Sequence, residues 1–200
     1  MKLPVSYYLN DDVAVLSRDL LGKYIFTCID GVVTGGYIVE TEAYNGVVDK
    51  ASHAYGNRKT NRTNVMFEQG GVIYVYLCYG IHEMLNIVTS IDGRPHAILI
   101  RAVHPTDGIY HMLERRRMAA LKPNLTRGPG SVAKALGISR AINTLSLQSD
   151  VIWLEDRWLY FGDESIASAP RIGVDYADED ALLPYRFYVK GDPYVSKPNK

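Results

Sequence analysis

The chain has 200 residues, 47% of them hydrophobic and 22% charged, which suits one domain with a core of its own and excludes disordered and collagen-like classes. Two cysteines, Cys28 and Cys78, cannot make a disulfide framework; both lie in apolar runs and are expected as buried free thiols in a reducing compartment. Lys plus Arg is 22 and Asp plus Glu is 22, so the formal net charge of zero argues against a polybasic nucleic-acid coat or a membrane-surface binder, though not against a local basic face.

The opening MKLPVSYYLN has no apolar core ahead of a small-residue cleavage site, and the most apolar stretch, VIYVYLCYGI, is far too short to span a bilayer. The expectation is a cytoplasmic protein, nucleoid-associated in a bacterium, with no membrane contact. Asp30-Gly31 and Asp92-Gly93 each stand between β-branched runs and predict hairpin turns. KYIFTCI leads into the first and VVTGGYIVETEAY leaves it; LNIVTSI and HAILIRAV flank the second. Between them, GGVIYVYLCYGIHEMLNIV breaks at Tyr79-Gly80 into a third hairpin, so most of the first hundred residues is expected as antiparallel sheet.

After Pro105, DGIYHMLERRRMAAL has helical spacing up to Leu121, before Pro123, and Ser131 to Leu136 predicts a second short helix. VIWLE and YRFYV read as late strands, with polar linkers over 142 to 150 and 162 to 183. With no internal repeat and no linker long enough to force a domain boundary, residues 1–200 form one α+β domain.

Zero net charge hides an asymmetry. Residues 101 to 140 carry eight basic residues against two acidic, and 150 to 180 carry two against nine. A basic face with an acidic back fits this pattern, and so do ordinary solvated surfaces.

Several motifs fail. His82-Glu83 opens like a zincin helix, but the second histidine would fall on Asn86. GPGSVA at 128 to 133 matches a dinucleotide fingerprint by letters alone, with no strand ahead of it and Pro129 in its loop, although such glycines could still hold one phosphate. No Walker loop, nucleophile elbow or paired CxxC occurs. Neither a metal nor a cofactor is expected.

Other features remain. The chain has 15 tyrosines against 4 phenylalanines and 2 tryptophans, a bias that suits ring faces with polar edges. Glu40, Glu42 and Tyr44 alternate along one strand and share a face, opposite Val39, Thr41 and Ala43. That face is either a solvated one or, with His53 in the following loop, a general-base site. Tyr74 and Tyr76 likewise share a face, as core or as platform, and Tyr79 beside Gly80 is exposed at a hairpin tip, where an aromatic can wedge between stacked bases. NRKTNR at 57 to 62 offers Arg58, Lys59 and Arg62 with short hydrogen-bonders, which suits phosphate contacts and equally any polar surface loop.

VETEAYNGVVDKASHAYGNRKTNR, then MF, GGVIYVYLCYGIHEMLN, ILIRAV, GPGS, ALGI, RIGV and YRFYVKGDPYVS, in order from about residue 12 to 196, resemble the alkyladenine (3-methyladenine) DNA glycosylases. The resemblance implies a single mixed domain with a central, partly curled antiparallel sheet, flanking helices and a protruding hairpin that enters the DNA minor groove while a damaged purine is flipped into a pocket. By residue it implies Glu42 as the base that activates water, with Arg101 and the main-chain carbonyl of Ile172 holding that water. It implies Tyr44, His53, Tyr76 and Asn86 as the base pocket, Asn86 discriminating against guanine's exocyclic amine. Tyr79 would fill the gap left by the flipped base, and Arg58, Thr60, His82 and Arg140 would lie along the DNA backbone. Two departures stand out: Ser131 replaces the family's usual lysine, with Lys134 a turn later, and His82 replaces an often aromatic or apolar residue beside the intercalating tyrosine.

These residues predict a monofunctional glycosylase, a monomer acting on double-stranded DNA that carries 3-methyladenine, 7-methylguanine or hypoxanthine and leaving an abasic site. Two rivals use the same features differently: a non-catalytic sensor of DNA damage or structure built on the same hairpin and basic face, and, more distantly, a formyltransferase-like nucleic-acid accessory domain. A sensor has no use for a carboxylate facing an anionic ligand, so Glu42 favours catalysis.

Overall fold

The computed structural model describes residues 1–196, and its centre is a 13-residue strand, β2 (Val32–Tyr44), which pairs with three neighbours. β1 (Tyr24–Ile29) joins it through Asp30 and Gly31, whose φ values of 54° and 76° are those of the tight hairpin that Asp-Gly favours. On the other side lies β5 (His96–Asp107), paired in turn with β4 (His82–Thr89) and β3 (Ile73–Cys78). β6 (Ile152–Glu155) extends the sheet beyond β1, while β8 (Arg186–Val189) pairs with β2 at residues 40–42 and with β7 (Ile166–Ala169). All pairings are antiparallel, and register shifts at Glu40 bend β2 where its neighbour changes from β1 to β8, so the sheet curls.

Alternation along these strands sorts the side chains into two layers. Ile73, Val75, Leu85, Ile87, Ile98, Ile100 and Ala102 enter the main core with α1 (Val13–Asp19) and α3 (Pro129–Ala135), with α2 (Ile109–Arg116) alongside. The intervening Tyr74, Tyr76, Val88 and Ala97 face the other way, onto Ala54, Val65, Met66 and Phe67 of the 51–67 loop. This second face also carries the buried charges of β2 and β5.

The structure corrects several expectations. Helix α2 stops at Arg116 rather than Leu121, because Arg117 turns left-handed at φ 53° and the Met118 N–H donates back to the Leu113 carbonyl at 2.9 Å. This closure normally falls on glycine, as it does after α3, where Gly137 has φ 71° and the Ile138 N–H reaches the Ala133 carbonyl. Helix α3 starts at Pro129, two residues earlier than expected, since proline fits the first turn and Gly128 supplies the turn before it. Helix α1 has no counterpart among the expected elements; Asp12 caps it by accepting from the Ala14 and Val15 N–H groups.

The expected 162 to 183 linker contains β7 and a run of 3-10 turns over Asp175–Leu182. Strand β4 ends at Thr89, so Asp92-Gly93 lies in a wider loop, and the tip between Cys78 and His82 is Tyr79-Gly80-Ile81, three residues rather than two. Both cysteines are half-buried, not enclosed. The eight basic residues of 101 to 140 are also not a uniform face: Arg115 and Arg116 donate to backbone carbonyls, and Arg101 is buried. No helix among the described residues is long and apolar enough to cross a membrane, and no group of three or more His, Cys, Asp or Glu there is placed to hold a metal ion.

Candidate active site

Glu40 and Glu42 are fully buried, which decides against a solvated strand face. Burial of two carboxylates is tolerable only with hydrogen bonds and countercharge, and both are present. Glu40 Oε1 accepts from Arg186 Nε at 2.8 Å and Arg101 Nε at 3.3 Å, and the Ser196 hydroxyl and N–H donate to its two oxygens at 2.7 Å each. Glu42 Oε1 accepts from the Ile172 N–H at 2.8 Å and forms an ion pair with Arg101 Nη1 at 3.2 Å, and Oε2 accepts from the Tyr44 hydroxyl at 2.8 Å. Two arginines therefore balance two glutamates. Burial alone would lower the Arg101 pKa, but Glu42 and Glu40 raise it overall.

The loop bearing Ile172 is tied to β2 by a second buried pair. Arg171 Nη1 and Nη2 reach Asp49 at 2.5 and 2.8 Å, and Nη1 also donates to the Ala43 carbonyl at 2.9 Å. The same guanidinium lies 4.9 Å from the Tyr44 ring centroid. Burial first, then the Glu42 carboxylate, lifts the Tyr44 phenol well above its usual pKa, so it remains a donor.

Beside Glu42 opens a cleft of 1010 Å³ whose walls include Tyr44, His53, Tyr76, Arg101 and Ile172. Arg58, Thr60 and Tyr79 also border it, Arg58 and Thr60 exposed on their loop and Tyr79 89% exposed at the hairpin tip. Tyr74 and Tyr76 stack at 5.3 Å with 28° between planes, and His53 stands edge-on to Tyr76 at 4.7 Å. His53 is held neutral, its pKa lowered to about 4 by burial and then by Arg62 and Arg58.

Asn86 lies beneath the main cleft, in a recess of 30 Å³ shared with Tyr44, Tyr74 and Tyr76, and its amide donates to the Tyr74 carbonyl at 3.1 Å. His82 and Arg140 do not border the cleft: the His82 ring packs where a side chain on Gly130 would meet it at 2.9 Å, and Arg140 pairs with Glu83 at 3.2 Å. Of Ile172, the atom that touches Glu42 is its amide nitrogen. Sequence reasoning missed Asp49, Arg171, Arg186 and Ser196, whose partners lie 122 to 156 residues away, a separation that leaves no local pattern.

The profile of the Methylpurine-DNA glycosylase (MPG) family matches residues 7–193. The chain therefore belongs to this family of DNA glycosylases. It is similar over 187 residues, at 46% identity, to a protein of Chlamydia felis (strain Fe/C-56) provisionally named 3-methyladenine DNA glycosylase, covering 92% of this chain and 94% of the relative. A Bacillus cereus (strain G9842) protein with the same provisional name is 44% identical over 208 residues, covering 98% of this chain and all of the relative.

Proposed function

We propose that this protein excises alkylated or deaminated purines of the 3-methyladenine, 7-methylguanine and hypoxanthine class from duplex DNA, hydrolysing the N-glycosidic bond with a water activated by Glu42. The observation that carries the reading is the bonding of that buried carboxylate to Tyr44, Arg101 and Ile172, three residues that line the cleft. Its Oε1 accepts from the Ile172 N–H and faces the Arg101 guanidinium, whereas Oε2 accepts only from the Tyr44 hydroxyl, so Oε2 is the oxygen with capacity left for a water's proton.

A base within the duplex is out of reach, so the lesion must leave the stack, at a cost of about a few kcal/mol that damage itself reduces. Tyr79, exposed at the tip, can enter the vacated space. In the cleft, Tyr44 and Tyr76 offer ring faces that attract a cationic alkylpurine by ~0.5–2 kcal/mol. Asn86, in the recess below, is the discriminating amide. As the bond breaks, the sugar gains oxocarbenium character, which the Glu42 carboxylate stabilises while it takes the water's proton. Arg101 and the Ile172 carbonyl hold that water. Alkylated purines leave readily; neutral hypoxanthine needs a proton, for which a water is the carrier. Because water and not a lysine amine is the nucleophile, the product is an unbroken strand with an abasic site.

Arg58 and Thr60 would contact a backbone passing along the cleft, with His82 next to the hairpin tip and Arg140 beside it, paired with Glu83. The protein works as a single-domain monomer beside the nucleoid. Glu42→Gln should lower the release of 3-methyladenine from alkylated duplex DNA by roughly 10²–10⁴-fold. Full activity of that variant would remove Glu42 from the mechanism.

A further inference from the structure

In the free protein the aromatic cleft is not vacant. The Arg62 guanidinium carbon lies 4.8 Å from the Tyr76 ring centroid. Its Nε donates to the Tyr74 hydroxyl at 3.0 Å, and its Nη2 lies 3.0 Å from His53 Nε2. Arginine has donors only, so the His53 ring accepts from Nη2, which lies 3.3 Å from Nδ1 as well, and Nδ1 lies 3.0 Å from the Tyr74 hydroxyl. Arg62 is nonetheless an exposed residue, on the loop that also carries Arg58 and Thr60 to the cleft rim. One exposed cation thus engages two side chains of the proposed base pocket, His53 and Tyr76, and Tyr74 behind them.

We propose that Arg62 is a gate that sets lesion selectivity: its guanidinium stands in for the cationic base on Tyr76 and His53, and an entering base must displace it toward a DNA phosphate. A planar cation on a ring face uses the same attraction that an alkylated purine would use. An alkylated base that displaces Arg62 replaces one cation by another. A neutral base replaces a cation by nothing, and loses roughly 2–30-fold in occupancy, the ~0.5–2 kcal/mol of a cation–π contact at 1.4 kcal/mol per tenfold. Departure of Arg62 also frees a His53 ring lone pair and the Tyr74 hydroxyl. The displaced guanidinium has a natural destination, because a forked donor on a rim that also bears Arg58 and Thr60 matches a phosphate in bidentate fashion.

The inference rests on the base-pocket reading, so its test separates the two. The full chain without DNA is titrated calorimetrically with hypoxanthine, a neutral probe, as wild type, Arg62→Ala and Arg62→Lys. Removing the guanidinium should tighten hypoxanthine binding roughly 2–30-fold in Arg62→Ala. Lysine lacks the planar fork, so Arg62→Lys should move in the same direction. Unchanged or weaker binding by Arg62→Ala overturns the gate. In parallel, in the Glu42→Gln background that slows excision, the logarithmic salt slope for duplex carrying hypoxanthine should fall by about one in Arg62→Ala and stay unchanged in Arg62→Lys; an unchanged slope in Arg62→Ala overturns the transfer to phosphate. Wild-type release of alkylated bases from DNA judges the underlying reading independently. If release occurs and the hypoxanthine affinity ignores Arg62, only the gate has failed; if no release occurs, the base-pocket reading has failed and the gate with it.

Discussion

Replacing Glu40 by glutamine tests whether the buried charges act as a balanced set. The substitution keeps the shape and removes one negative charge, leaving Arg101 and Arg186 to face Glu42 alone. It also swaps an acceptor for an amide NH₂ amid donors from Arg186 at 2.8 Å and Ser196 at 2.7 Å. Glu40 is fully buried, so water cannot take over either role. Breaking a buried pair from one side costs about 3–5 kcal/mol, a large share of a total that is typically about 5–15. At roughly 2–4 °C per kcal/mol for a chain of this size, Tm should fall by about 6–20 °C. Urea and thermal unfolding followed by far-UV circular dichroism measure both quantities. Arg186→Met in the Glu40→Gln background restores charge balance and should recover at least about 1 kcal/mol in a double-mutant cycle. A single-variant loss below about 1 kcal/mol, or a cycle without coupling, would refute the charge-balance argument.

Tyr79→Ala should leave stability within about 0.5 kcal/mol of wild type, since the side chain packs on little, but should weaken base flipping reported by 2-aminopurine fluorescence at the target. Unchanged fluorescence would take Tyr79 out of the duplex. His53, with its pKa lowered to about 4, binds a proton more readily unfolded than folded. Stability is then complete above about pH 6.5 and declines toward pH 4, by roughly 2 kcal/mol at pH 5; His53→Gln should flatten that limb, and a wild-type profile level from pH 7 to 5 would contradict the burial of this ring. Lesion-bearing duplex treated with the wild type and no alkali should stay unbroken, whereas strand breaks would reveal a Schiff-base lysine.

The two-layer sheet was legible because its pattern is local. Ile73 and Val75 alternate with Tyr74 and Tyr76, and the same period of two places Glu40, Glu42 and Tyr44 together. What was not legible came from tertiary closure. Arg117 takes a position that sequence reasoning reserves for glycine, while the short IASA strand exists because β8 offers it an edge. The site showed the same division: its strand residues could be aligned by spacing, but the Arg171–Asp49 and Arg186–Glu40 pairs exist only once distant segments meet. Composition misled where it averaged. Zero net charge said little about nucleic acid, whereas the tyrosine excess bore directly on the cleft, with Tyr44, Tyr76 and Tyr79 at its border and Tyr74 behind them.

The pairing of two glutamates with two arginines has a consequence at longer range. A polyanion approaching a lone carboxylate would be repelled, and repulsion would be worst in a dry cleft. Here the charges of Glu40, Glu42, Arg101 and Arg186 sum to zero within a few bonds' reach of one another. At about 8 Å, the screening length of physiological salt, a phosphate meets almost no field from the group. A water in hydrogen-bond contact with Oε2 meets that oxygen's share of the carboxylate charge at close range. The arrangement lets a strongly anionic ligand come close to the proposed base with little repulsion.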